Sequence, residues 1–353
     1  VSRSGGAQSA HNNNLDHLRA IAVLAVLAHH VLALTGIGIP LLSSLGGYIG
    51  TILFFIISGY LISDSASKYP LRTYFIHRVL RIYPAYWVAY LGIGLVGGRL
   101  LRAHYQDDGF GWLVLNLLNL QHLHPKALID YSVLHVSWTL TIEVLWYALA
   151  PLVVLAGRRL FLGVLCAALI LNGVWDHLAD NGALANFFGA ELFGKYVHEH
   201  HVLVLKQAFP VQFIYLMLGA AAYRYRHLIP HLSAPLFALL LCAAILAFPH
   251  YNGVLPNSSL VLGIGLFCGF LAALRLPEIK LGPLKKIGEI SYSIYLIHFP
   301  ALIFAFVRFG PKGVALALPL VFVLAFFLHR YVEKPGMDWA RRLTLNAPVG
   351  VRR

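Results

Sequence analysis

Residues 15–34 read LDHLRAIAVLAVLAHHVLAL, a run of about twenty residues apolar enough to cross a bilayer. It nevertheless carries Arg19 near one end and His30 deep along its length. Successive helical positions turn by about 100°, so these two residues fall on one face, roughly 16 Å apart along the axis. Hydrocarbon solvates neither side chain, and an ionisable residue inside a span is by default a site. The plainer alternative makes Arg19 a snorkelling anchor and His30 a hydrogen-bonded packing residue.

The rest of the chain has the same character. Its 353 residues are 59% hydrophobic and 12% charged, with a mean hydropathy of +0.73, which excludes an ordinary soluble domain. Cys166, Cys242 and Cys268 lie inside apolar runs, without disulfide or metal-ligand spacing. The formal charge of +13 does not indicate nucleic acid, because the basic residues sit in short loops between apolar runs. The first run is too long for a signal-peptide core and is expected to be retained.

Apolar runs of spanning length occur at 15–35, 46–63, 82–98, 137–156, 159–176, 209–223, 232–248, 258–274, 289–307 and 313–330. The reading is an all-α polytopic membrane helical bundle of about ten transmembrane helices with both termini cytoplasmic. A flexible cytoplasmic N-terminus (1–14) and a cytoplasmic tail (333–353) flank the membrane domain (15–332). The apolar stretch Phe110–Gln121 is too short to cross and is expected to be interfacial or re-entrant. This topology puts 20 of the 27 Lys and Arg on the inner side, as the positive-inside rule requires. The remaining seven include Arg99, Arg102, Lys126, Lys195 and Lys206 on the outer side. The longest outer loop, Asp176 to Lys206, holds His177, Asp180, Glu191, His198, Glu199, His200 and His201. A solvated loop is the expected account of it, with metal binding as the alternative.

Four polar features lie on or beside the spans. Arg78 and Arg81, between the second and third runs, are three apart and would present two guanidinium forks to one anion, phosphate being the natural partner. The alternative is the positive-inside signal alone. Glu143, in SWTLTIE at 137–143, lies well inside a span and needs a partner. Its depth, roughly 21 Å from the inner edge, matches the roughly 22 Å of His30. A carboxylate there would hold the imidazole in one tautomer, as a general base requires. Ser291, Tyr295 and His298 form a stripe in the ninth span, readable as a substrate wall or a helix–helix seam. The Ser58-Gly59 pair in the bulky second span reads as close helix packing. No GxSxG elbow, Walker-type phosphate loop or GxGxxG after a strand is present.

Taken together these residues resemble the acyltransferase-3 family of integral membrane O-acyltransferases. The resemblance rests on the Arg19 to His30 spacing after Leu15-Asp16, LFFIISGYLI at 53–62, Arg78-x-x-Arg81 leading to Ile82-Tyr83-Pro84, SWTLTIE at 137–143 and ISYSIYLIHFP at 290–300. It implies a bacterial inner-membrane enzyme that takes an acyl group from cytoplasmic acyl-CoA, usually acetyl-CoA. The group passes to a hydroxyl of a sugar or glycan at the outer side, with no metal. It implies His30 as the catalytic histidine, Arg19 as its motif partner, Arg78 and Arg81 as donor-binding arginines, and Glu143 as the family's glutamate. Trp138, Tyr295 and His298 are assigned to the acceptor side. Two positions depart from the pattern. Ile52 stands where many members have an acidic residue, so no second-span carboxylate is assigned, and His17 stands where many have glycine. No SGNH-type hydrolase stretch occurs in the sequence, so direct transfer by His30, oriented by Glu143, is expected, with an acylated His30 as the variant. The competing class is a glycan transporter or flippase, since buried His, Arg and Glu also mark transport pathways. The spans lack the symmetric Gly/Pro breaks such folds show.

Overall fold

The computed structural model describes residues 13–98, 100, 109–188, 196, 199–230, 234–251 and 257–344. Expectations that fall on residues 1–12, Arg99, Arg102, Glu191, Lys195, His198 and the tail beyond 344 lie outside the described residues. Among the described residues every regular element is helical. Seven helices are long and apolar enough to cross a membrane, and Trp138–Val154 and Ala234–Phe248 are shorter apolar helices. The last long segment breaks at Gly310, which has φ 62° and ψ −154°. Glycine adopts this conformation without a Cβ penalty, and Pro311 cannot donate to the ladder behind it. One segment is therefore two apolar helical stretches, and among the described residues ten such stretches result, where hydropathy placed ten.

The first three helices are α1 (Asn13–Thr35), α2 (Leu42–Lys68) and α3 (Leu71–Val96). Two boundaries differ from expectation. Asn14 is no part of a flexible lead, because its buried amide donates to the carbonyls of Ala273 (3.0 Å), Leu276 and Pro277 and accepts from the Ile279 N–H (3.0 Å). Helix α3 starts at Leu71, so Arg78 and Arg81 lie on a helix and not in a loop.

Helix α2 is central and packs against α1, Trp138–Val154, Phe209–Arg224 and Ser258–Arg275. Its approach to Phe209–Arg224 depends on two glycines placed back to back. A Cβ on Gly59 would strike the Leu216 carbonyl, and one on Gly219 would strike the Ile56 carbonyl. Small residues let membrane helices approach at backbone distance, where dispersion takes over the role that the hydrophobic effect plays in water. The Ser58-Gly59 pair serves this packing.

The segment expected to be re-entrant does not cross. It forms Phe110–Leu117, a 3-10 turn Gln121–Leu123 and Pro125–Ile129, the first of these helices being only about 12 Å long. Irregular backbone at membrane depth needs protein partners for its polar groups. Tyrosines of α3 supply them: Tyr86 donates to the Asn116 carbonyl (2.7 Å), Tyr83 to Leu118 (2.9 Å) and Tyr90 to Tyr131 (2.9 Å). Burial, with Lys126 beside it, pushes the His124 imidazole pKa down, consistent with its Nδ1 accepting from the Lys126 N–H (3.2 Å).

Several helix ends gather together. Arg224 donates to the carbonyls of Val154 (3.1 Å) and Ala156 (2.9 Å), Arg275 to that of Arg226, and Gly288 packs on Asp16. The segments that charge asymmetry assigns to one side are thus gathered at one end of the bundle. Helix Lys334–Thr344, expected to belong to a separate tail, packs on α3, with Gly336 against the Leu80 carbonyl.

The glycine contact is testable. Gly59→Ala should lower stability by about 1–3 kcal/mol through overpacking against backbone, whereas Gly92→Ala, which meets nothing within 4 Å, should not. Equal thermal stability of the two variants in detergent would contradict the packing.

Candidate active site

Two cavities meet inside the bundle. The smaller, of about 90 Å³, is walled by Arg19, Arg78, Arg81 and Glu143 together with Ser58, Thr139, Ser291 and Tyr292. The larger, of about 1160 Å³, contains His29, His30 and Trp138 and extends to Asp176, Asp180, His200 and Lys206. Thr51 and Tyr295 belong to both walls. They form the partition.

The arginine chamber draws on several helices. Arg19 comes from α1, Arg78 and Arg81 from α3, and Glu143 from Trp138–Val154. Arg19 Nη1 donates to Asp16 Oδ1 at 3.4 Å. The Arg78 guanidinium lies near the rings of Tyr147 (5.8 Å) and Tyr74 (6.0 Å), and its Nε is buried without a partner. Arg81 Nη1 reaches Met337 Sδ at 3.4 Å. Among the described residues no carboxylate lies within ion-pair distance of Arg78 or Arg81. Glu143 is the one carboxylate on the chamber wall, and its Oε1 accepts from Tyr147 (2.8 Å) and Ser58 (3.3 Å). With Arg19 paired to Asp16, the guanidiniums of Arg78 and Arg81 face the single wall carboxylate of Glu143, a positive excess that an anion would neutralise.

His30 lies across the partition. Its ring is 4.2 Å from that of Phe299, 5.2 Å from His298 and 5.3 Å from His29, centroid to centroid. Arg19 and His30, roughly 16 Å apart along α1, therefore open into different cavities. Tyr295 is fixed at the partition, its hydroxyl donating to the Val136 carbonyl (2.6 Å) and lying 2.8 Å from Thr139 Oγ1.

Of the expected site residues, Arg19, Arg78, Arg81 and Glu143 come together, His30 and Trp138 share the wide cavity, and Tyr295 lies between. The expected His30–Glu143 pair does not form. Helix α2 packs against both α1 and Trp138–Val154 and stands between them, so equal depth does not become contact. His298 is fully buried and belongs to neither cavity wall, so it cannot touch an acceptor as expected. Metal binding by the outer-loop histidines gains no support: among the described residues no three His, Cys, Asp or Glu side chains are grouped to hold a metal. Lys206 instead pairs with Asp180 (2.7 Å) and Asp176 (3.5 Å).

Several buried polar neighbours were not anticipated. Tyr147 stands four residues after Glu143, a spacing that brings helical side chains together, and so could have been read. Buried Glu333 accepts from Ser293 Oγ (2.8 Å) and lies 2.9 Å from His329 Nδ1. The His329 and Glu333 spacing was equally visible, but Glu333 lies past the end expected for the last span. Thr51 and Thr139 carried no signal.

The acyltransferase-3 profile, described as an acyltransferase domain, matches residues 12–329. BcsY of Komagataeibacter xylinus, whose name describes a membrane-bound transacylase, is 28% identical over 96% of this chain and 85% of its own length. Two proteins named as peptidoglycan O-acetyltransferases are more distant. YrhL of Bacillus subtilis is 23% identical over 91% of this chain and 54% of its own length. OatA of Listeria monocytogenes is 22% identical over 91% and 55%. The chain thus spans about half the length of these two. No solved structure matches it. The chain belongs to the acyltransferase-3 family and is an integral membrane acyltransferase of the bacterial inner-membrane type.

Proposed function

We propose that the protein is an acyl-CoA-dependent O-acyltransferase, acting between a cytoplasmic donor and a sugar or glycan hydroxyl on the outer side. The observation that carries this reading is the pair of cavities that meet at Thr51 and Tyr295, one lined by three arginines and the other by His30. CoA is a phosphorylated head on a long narrow arm. The arginine chamber, at about 90 Å³, admits a few waters and is too small for a nucleotide. The head therefore stays at the mouth, where Arg78, Arg81 and Arg19 hold its phosphates through charge-assisted bonds. The arm enters as side chains part, and the thioester comes to the partition.

The wide cavity fits the acceptor. Trp138, Tyr48 and Tyr215 offer apolar faces, and Gln212, Asn257 and Asp176 offer polar groups, the mixture that a sugar ring with its hydroxyl rim requires. Two of the relatives are named for O-acetylation of a glycan. His30 takes the proton from an acceptor hydroxyl. The oxygen attacks the thioester carbonyl, the carbon–sulfur bond breaks, and the proton passes from the imidazolium to the leaving thiolate. The products are the O-acyl ester and free CoA, with acetyl as the expected group. Glu143 acts on the donor side, as the counter-charge and hydrogen-bond acceptor that keeps the arginine chamber assembled.

Three variants test this assignment by acceptor-dependent release of CoA. His30→Ala should remove turnover by at least the roughly 10²–10⁴ that a general base supplies while CoA still binds; near-normal turnover would exclude the role. Arg78→Ala or Arg81→Ala should raise the KM for acyl-CoA about 10- to 100-fold, from roughly 1.5–3 kcal/mol per charged hydrogen bond. An unchanged KM would remove these residues from the donor site. Glu143→Ala, which removes the acceptor of Tyr147 and Ser58 together with the chamber's carboxylate, should destabilise the protein by about 1–3 kcal/mol, and an unshifted melting temperature would refute this role.

A further inference from the structure

His298 is fully buried on the helix that carries Tyr295. Its Nδ1 lies 2.8 Å from the Tyr295 carbonyl and 3.2 Å from that of Ile294. Carbonyls only accept, so Nδ1 carries the hydrogen, and the neutral ring is left with a bare Nε2 that can only accept. That Nε2 is buried and has no hydrogen-bond partner. An unsatisfied buried acceptor is costly and calls for a reason. The neighbouring ring is His30, 5.2 Å away and tilted by 41°. The two nitrogens are not hydrogen-bonded in this conformation, but at this centroid distance a turn of the His30 ring brings its N–H to Nε2, roughly 3 Å of hydrogen bond plus the two ring radii.

The surroundings leave His298 as the partner. His29 points its Nδ1 to the Ser43 carbonyl at 3.0 Å. Phe299 covers His30 at 4.2 Å and offers no acceptor. Glu143 is engaged with Tyr147 and Ser58 in the other cavity. Neither ring nitrogen of His30 has a hydrogen-bond partner among the described residues.

We propose that His298 is a positioning residue whose bare Nε2 accepts the N–H of His30, so that the other nitrogen of His30 presents its lone pair to the acceptor hydroxyl. A neutral imidazole, itself locked by the carbonyls of its own helix, then fills the place that a carboxylate takes beside many catalytic histidines. It sets the tautomer of the base without adding a second charge to the membrane interior. The inference rests on His30 being the base.

The test compares three variants of the full chain in membranes. A glutamine amide reaches the position of Nε2, an asparagine amide only that of Nδ1, and phenylalanine keeps a ring without either acceptor. His298→Gln should stay within about 10-fold of the wild-type kcat. His298→Asn and His298→Phe should lose about 10²-fold or more, within the range of up to about 10⁴ on which a mis-set tautomer acts. The KM for acyl-CoA and for acceptor should not change in any of them. If Asn serves as well as Gln, if all three variants turn over like wild type, or if the loss appears in KM, the proposal is overturned. Should the Phe variant fail to fold, the Gln and Asn pair decides alone. His30→Ala separates the two levels of the account: if it remains active the base assignment itself fails, whereas an inert His30→Ala beside a fully active His298→Asn sinks only the role of His298.

Discussion

Charge that hydrocarbon cannot solvate sets the terms for this bundle. Arg19, Arg78 and Arg81 face one cavity with Glu143 as its one carboxylate, and leaving such groups unpartnered in lipid costs several kcal/mol each. The protein meets that cost in different ways. Glu143 takes hydrogen bonds from Tyr147 and Ser58. Arg78 lies near two tyrosine rings, which offer a cation a negative face without neutralising it. Arg19 leans on Asp16 in the first turn of its helix. None of these arrangements removes the positive excess, and that excess is what an anionic donor can use.

Helix α1 converts this electrostatic end into a chemical one. Arg19 and His30 share a face, yet they open into different cavities because Thr51 and Tyr295 stand between them. The partition is stiff. Tyr295 is pinned by Val136 and Thr139, and α2, which carries Thr51, is locked against Phe209–Arg224 by the facing glycines at 59 and 219. If the arginine chamber takes the donor as proposed, this wall would also limit the access of water in the wide cavity to the thioester, which favours transfer over hydrolysis.

Much of this was legible in the chain, and what was not has a physical reason. Length and hydropathy report the cost of placing backbone and charge in lipid, so the ten apolar stretches and the short Phe110–Leu117 detour were readable. The Gly310-Pro311 break fell in the gap left between the last two runs. Spacing along one helix is equally visible, which is why Arg19 with His30 and Arg78 with Arg81 were recognised as pairs. Contacts between helices are not encoded in this local way. Glu143 and His30 lie at similar depth, but nothing in either span reports that α2 separates them. His298 was placed on the acceptor wall because a polar stripe shows which face is special, not whether that face meets a cavity or another side chain. The start of α3 was set eleven residues late, since its first turns are basic and hydropathy marks the hydrocarbon boundary, not the helix end.

The central claim is that one ligand bridges the two cavities, phosphates at the arginines and sulfur at the partition. It is tested most directly by a cryo-EM structure of the protein with a non-hydrolysable acyl-CoA analogue. The account requires density for the phosphates within hydrogen-bonding distance of Arg78 and Arg81, and the thioester-equivalent atom beside Thr51 and Tyr295 on the path to His30. An analogue seated wholly in the wide cavity, or bound with its phosphates away from these arginines, would contradict it.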